Sequence, residues 1–472
     1  MWRCLLALLS LGLCAFGVNP GMKATLTSKG LQYGADVVAD WLRQRAGGLH
    51  IPDISGEIDL GLLGSVDYTL SRMRVVQFDL PGPTVGFYEG TGVKGGVANL
   101  NIIIEGDWNL RYLLIRDSGT FELGVYNVEV SLLLELGRDP AGRPSVSCLQ
   151  CDPHIGGTQV NFHGGLSWIY KRFVDRFSIE QIVLNKICPM VEDSVGVLEG
   201  HLAQMKVSIQ VNPSLLLEFP LINTPVVQTS DMELDLKGEF YGGQTHIEPP
   251  FTAEPFELPW DRGHMISVGV SEFSLNSAAF ACLSDGLLQA NITDSMIPKG
   301  SPIHLNTSNF GVFIPQLPKQ FPNMLMMLLT YATEAPVVSF QPDMVTLRLS
   351  MAAKAFAIEP DNSLVPLFKL GVYANFSGKA SISDGMLKGS LEMTNFTLSL
   401  DSSEVGPFET VPLQNLLSFG IKMKFLPEVN AKLRAGFPIP TTYGIHWVNL
   451  SLKVNQGFVS VVTDAQVSSA GG

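Results

Sequence analysis

Leu31, Ala35, Val38 and Leu42 recur at i, i+4, i+7 and i+11, which predicts an amphipathic helix over 24-46, closed by Gly47 and Gly48. The period then drops to two. Ala98, Leu100, Ile102 and Ile104 share one face, and so do Tyr126, Val128, Val130, Leu132 and Leu134, with Asn127, Glu129 and Ser131 between them. Both stretches are expected to be strands with one wetter side. Helical spacing returns over 165-203, where Ile169, Phe173 and Phe177 lie four apart and Val191, Val195, Leu198 and Leu202 repeat the first pattern. Pro189, next to Cys188, is expected to break or restart that helix, because proline has no N–H to give the preceding turn. The second half has the same ingredients: alternation at Val448, Leu450, Leu452 and Val454, a proline-punctuated apolar segment at 311-332 and a late helix near 409-436. Between the halves runs GGQTHIEPPFTAEPFELPWDRG (242-263), which has four prolines and no usable period and is expected to be a semi-extended linker. The pattern permits two related domains, each a curled antiparallel sheet flanked by helices.

Composition changes this picture in three ways. The first 17 residues, MWRCLLALLSLGLCAFG, have an early Arg3, an apolar run and a small-x-small ending, the layout of a secretory signal. The mature chain is expected to start near Val18 and to be secreted and extracellular. No later stretch reaches the ~18 to 20 apolar residues of a membrane-spanning helix. Second, 46% of residues are hydrophobic and mean hydropathy is +0.23, which asks for a large β-rich core or an internal cavity that holds lipid. Third, the formal charge is -13 and is spread over both halves. Val18 to Thr245 has 17 Lys and Arg against 26 Asp and Glu, and His246 to the end has 13 against 18. Such a chain is a poor general binder of nucleic acid, so any anion must be held by a local patch.

Four cysteines remain beyond the signal: Cys148, Cys151, Cys188 and Cys282. The C-x-x-C pair has no second pair at metal spacing and no βαβ surroundings, so a structural disulfide to Cys188 is the expected use in an oxidising compartment. Sequons at Asn291, Asn306, Asn375, Asn395 and Asn449 all fall in the second half and are expected to carry glycans. The eight histidines are scattered, H-E-x-x-H and G-x-S-x-G are missing, and TGVKGGVAN lacks Walker spacing. An enzyme is therefore not expected, nor is a cofactor or a metal.

Several stretches occur in order over nearly the whole mature chain: VNPGMKATLTSKGLQYG (18-34), HIPDISG (50-56), CLQCDPH with the later ICPMVEDSV, LDLKGEFYGG (234-243), DSMIPKGSPI (294-303), KQFPNM (319-324) and GFPIP (436-440). Together they resemble the bactericidal permeability-increasing protein and lipopolysaccharide-binding protein family, and RDSGTFELGV, FHGGLSWIY and HLNTSNFGVFIPQLPKQFPNM look most like its fish members. The resemblance implies an α+β fold of two similar antiparallel barrels with long helices, joined by a central sheet into a boomerang. The expected domains are 18-241 and 264-472, each with an apolar pocket for phospholipid. It also implies a Cys151–Cys188 disulfide, with Cys148 and Cys282 left as free thiols.

The same resemblance puts GDWNLRYLLIRDSG (106-119) at the tip of the N-terminal barrel, where family members meet the phosphates of lipid A with lysines and arginines. Here Arg111, Arg116 and Trp108 occupy that stretch, flanked by Asp107 and Asp117. Arg43, Arg45 and Lys94 are further candidates, and Lys171 and Arg172 lie on the second helix. The implied function is that of a monomeric innate-immunity protein that binds lipopolysaccharide, phospholipid and the bacterial outer membrane. The alternative is phospholipid transfer on the same fold, which a sparsely cationic tip suits.

Overall fold

The computed structural model describes residues 18-48, 51-59, 64-165, 179-297, 304-439 and 444-467. The signal segment and Lys171 and Arg172 lie outside the described residues.

A sheet in the middle of the molecule takes strands from both halves. Its order is β10 (Val226–Val227), β11 (Asp231–Leu236), β1 (Met22–Thr27), β13 (Ile266–Ser271), β22 (Phe458–Val467) and β21 (Ile445–Val454). Met22 lies opposite both Leu236 and Val270, so the first strand joins the two halves directly. The helix expected over 24-46 gives up its first turn to β1. It starts at Ser28 and runs to Arg45 as α1, capped by Thr27, whose Oγ1 accepts from the Gly30 N–H.

The N-terminal sheet is β2 (Ile54–Asp59), β3 (Ser65–Asp79), β5 (Gly92–Tyr112), β6 (Ile115–Arg138) and β7 (Pro144–His163), with β4 (Thr84–Tyr88) beside β5. β5 and β6 form one long hairpin, paired from Tyr112↔Ile115 back to Gly92↔Glu135. Helix α2 (Ile179–Leu202) packs along β7 and closes the core, with Val183, Leu184 and Ile187 against Trp108, Phe121, Val125, Val128 and Ile155. Pro189 sits inside α2 without ending it, contrary to the break expected there. The turns around it are held from outside the helix: the Cys151–Cys188 disulfide fastens it to β7, and Glu199 Oε2 accepts from the Val146 N–H at 2.7 Å.

The C-terminal sheet repeats the plan with β14 (Gln289–Thr293), β15 (Leu325–Ala332), β17 (Met344–Ile358), β18 (Leu364–Ser383), β19 (Met386–Ser403) and β20 (Phe437–Pro438), and β16 (Val337–Gln341) on β17. A short sheet of β12 (Glu239–Gly242), β9 (Leu215–Glu218) and β8 (Ser208–Asn212) lies near helix α3 (Glu272–Ser284), whose Ser277 hydroxyl accepts from the Phe240 N–H. Late in the chain α4 (Val411–Gly420), a π turn (Ile421–Phe425) and α5 (Leu426–Ala435) cover the sheet. Leu413 and Leu426 are buried there, and the Asn430 side chain bonds both backbone groups of Leu391. Between β12 and β13 the chain has neither helix nor strand, as its prolines require. No helix among the described residues is long and apolar enough to cross a membrane.

Candidate lipid-facing tip

The β5–β6 hairpin ends in two turn residues, Leu113 and Leu114. Immediately behind them the strands pair Tyr112 with Ile115 and Arg111 with Arg116, and β3 adds Asp67 opposite Arg111. The next row on the same face is Thr69, Asn109 and Ser118, because side chains two apart in a strand share a face. These two rows line a cavity of about 360 Å³, to which Asp117 also contributes. Arg111, Arg116 and Asp67 are exposed, and neither guanidinium takes part in an ion pair among the described residues. Asp107 is engaged further back by Arg72.

Trp108 belongs to the opposite face, contrary to its expected place among the headgroup contacts. It is 2% exposed, its ring meets Phe162 edge-on at 6.0 Å, and its Nε1 donates to Thr120 O at 3.0 Å. Gly119 stands opposite it in register, and a side chain there would run into the indole. Trp108 is thus a core residue: with Ile102, Ile104 and Leu110 it continues the apolar alternation of β5, and a headgroup layer has no access to it.

The other predicted cations do not gather at this tip. Lys94 pairs with Gly86 near the opposite end of β5, 17 residues or roughly 55 Å of strand from Arg111. The turn beside it is tied to the central sheet by a bond from Gly90 N to Val227 O. Arg43 donates from Nε to Leu80 O and pairs with Asp40. Neighbouring Asp79 faces Asn101, ten residues or roughly 33 Å of strand short of Arg111. Arg45 lies 5.0 Å over the Trp41 ring. Of the six predicted tip residues, only Arg111 and Arg116 share the surface. Sequence reasoning passed over Leu113, Leu114 and Ile115, although three apolar residues at a hairpin turn, where Asn, Asp or Gly is usual, were a readable signal.

Among the other predicted sites, Cys151 and Cys188 are bonded, and Cys148 and Cys282 are free and half-buried. Asn291, Asn375, Asn395 and Asn449 are exposed, with Asn375 directly opposite Asn395. Asn306 is half-buried, and its side chain caps the one-turn helix Thr307–Phe310. The most perturbed acids have structural surroundings. Burial pushes the Glu239 carboxyl up, partly offset by Lys237. Burial, with the bond it donates to Glu248, pushes the Tyr241 phenol far above its usual range. No group of three His, Cys, Asp or Glu that would hold a metal ion occurs among the described residues.

Two curled, helix-backed sheets sharing a central sheet, with a polar cavity and an apolar tip at one end, make up a binding scaffold. Family models for the N-terminal and C-terminal domains of the LBP / BPI / CETP family match residues 30–201 and 210–467, and the chain belongs to that family. It is 36% identical over 98% of both chains to a bactericidal permeability-increasing protein of Sebastes schlegelii. It is 28% identical to the lipopolysaccharide-binding protein of Bos taurus over 96% of this chain and 95% of that one. The crystal structure of lipopolysaccharide binding protein superimposes with a TM-score of 0.58 at 27% identity, covering 95% of this chain and all of the other. The family is one of lipid-binding and lipid-transfer proteins, and the chain is not an enzyme.

Proposed function

We propose that the chain is a secreted lipid-binding protein of innate immunity. In this reading it takes lipopolysaccharide at the Arg111–Arg116 tip and holds phospholipid acyl chains between helix and sheet in each of two units, 18-241 and 264-472, linked by 242-263. The observation that carries the reading is the cross-strand Arg111–Arg116 pair, exposed and without ion-pair partners among the described residues, beside a polar cavity. Two guanidiniums at neighbouring positions suit the paired phosphates of lipid A, each charge-assisted contact contributing ~1.5 to 3 kcal/mol. Accessible apolar surface supports the acyl-chain part. Leu198 lies eleven residues beyond Ile187 on the same helical face, yet stays exposed where Ile187 packs into the core. Phe419, Met423 and Phe425 are likewise exposed on the helices of the second sheet.

The test is binding of the purified chain to lipopolysaccharide at physiological salt, followed as ionic strength rises. Saturable binding that weakens with salt is the expected result. A second reading, phospholipid transfer, is favoured by Asp67, which offsets one arginine in the tip row. Transfer of neutral phospholipid between vesicles, with no lipopolysaccharide binding, would make it the leading one.

A further inference from the structure

Leu114 is 100% exposed, Leu113 76% and Ile115 54%, so three consecutive apolar side chains project into solvent from the end of a hairpin. Leu113 has a φ of 52°, a left-handed backbone that glycine or asparagine adopts more easily, so an apolar residue is kept at a position that disfavours it on conformational grounds. Scattered exposed leucines need no explanation, but a contiguous cluster at an extremity does.

The polar residues behind the cluster are graded in depth. Arg111 and Arg116 lie two to three residues back from Leu114, about 7 to 10 Å along the strands. Interfacial elements sink their apolar faces about 5 to 10 Å into the boundary between headgroups and acyl chains. With Leu113, Leu114 and Ile115 in the acyl region, the two guanidiniums reach phosphate level, and half-buried Tyr112 lies between the two zones. Asp67 extends the arginine row by one strand, so the row reads carboxylate, guanidinium, guanidinium, with no ion pair between Asp67 and Arg111. A carboxylate one strand away from a guanidinium matches a headgroup that carries a phosphate and, two carbons away, a primary ammonium. The formal charge of -13 opposes approach to a strongly anionic surface, whereas a zwitterionic one exerts no such repulsion.

We propose that the Leu113–Leu114–Ile115 turn is a wedge that enters phospholipid surfaces, and that the Asp67–Arg111–Arg116 row behind it selects phosphoethanolamine headgroups. The proposal rests on the same tip being lipid-facing. It adds a docking step, seating on a zwitterionic surface, to the capture of a single amphiphile.

The experiment is co-sedimentation of the full chain with vesicles of phosphatidylcholine alone, with added phosphatidylethanolamine, or with added phosphatidylglycerol, beside a lipopolysaccharide titration. Wild type is expected to prefer the phosphatidylethanolamine vesicles and to bind them with little salt dependence. L113S/L114S is expected to lose at least tenfold in that binding with an unchanged melting temperature, since both side chains are in solvent. D67N is expected to lose the preference for phosphatidylethanolamine over phosphatidylcholine. Equal vesicle binding by L113S/L114S and wild type overturns the wedge, and a wild-type preference for phosphatidylglycerol overturns the headgroup assignment. Wild type that binds lipopolysaccharide but no phosphatidylethanolamine vesicle overturns this inference alone. Vesicle binding that depends on the two leucines, without lipopolysaccharide binding, upholds it and overturns the lipopolysaccharide reading.

Discussion

The Lys29 ammonium reaches both oxygens of Asp464, at 2.9 and 3.0 Å, across 435 positions of sequence. Asp464 is 6% exposed and also accepts from Met265 N at 2.9 Å and Asn449 Nδ2 at 2.8 Å. One carboxylate thus ties α1 to β21, β22 and the residue that leads into β13. Burial alone pushes its pKa up, but the bonds from Asn449, Lys29 and Met265 outweigh it and hold the group below its ordinary value.

A carboxyl depressed in the folded state contributes stability above the unfolded value of 3.8 and loses it as pH falls beneath that, through the folded value. D464N should therefore cost about 1.5 to 3 kcal/mol at neutral pH. The gap from wild type should narrow only below about pH 4. Denaturant melts of both proteins at pH 7 and pH 3 check this, and an identical gap at the two pH values would rule out the ionised pair as its source.

C188A should destabilise the N-terminal sheet by about 2 to 5 kcal/mol, because the bond to Cys151 closes a loop across 37 positions and anchors the helix that carries Pro189. Thermal melts under oxidising and reducing conditions provide the readout. Wild type should fall to the level of the variant on reduction.

W108A should cost about 3 to 5 kcal/mol through the cavity left beside Phe162, and W108F clearly less. Calorimetry beside lipid binding separates the two roles proposed for this tryptophan. A loss of lipid affinity at unchanged stability would return it to the surface.

R111A/R116A should weaken lipopolysaccharide binding by about two to four orders of magnitude while co-purifying phospholipid stays constant, since two charge-assisted contacts of ~1.5 to 3 kcal/mol each go and the helix–sheet interior is untouched. Isothermal titration and lipid extraction test the two halves of this statement. Unchanged affinity would remove the arginine pair from the site.

The individual strands and helices were legible because alternation and helical spacing are local properties, whereas their arrangement as two related units came from the family resemblance. The strands around Ile102 and Val128, the helices α1, α2 and α4 with α5, and the proline-rich connection could be placed from those local properties, whereas α3 was not, and Ile169, Phe173 and Phe177 of the helix expected over 165-203 lie outside the described residues. Trp108 was misplaced although its signal was present: continuing the alternation of Ile102 and Ile104 by four and six further residues reaches Trp108 and Leu110 on the same face. Lys94 and Arg43 were grouped with Arg111 because nothing local says which way a hairpin points. Only the pairing of Lys94 with Gly86 and the bond from Gly90 to Val227 put that end of β5 beside the central sheet. Asp67 joins the tip through a third strand, and such a partnership follows from register alone.

The central sheet also sets the order of assembly. β1 emerges first from the ribosome, yet its neighbour β13 follows more than two hundred residues later, and β22, which closes β13, comes later still. Contacts of such sequence separation form slowly. The hairpins of each outer sheet can pair as they are synthesised, but the clasp between them must await almost the whole chain, leaving the edge of β1 that later takes β13 open to a chaperone or to a wrong partner in the meantime.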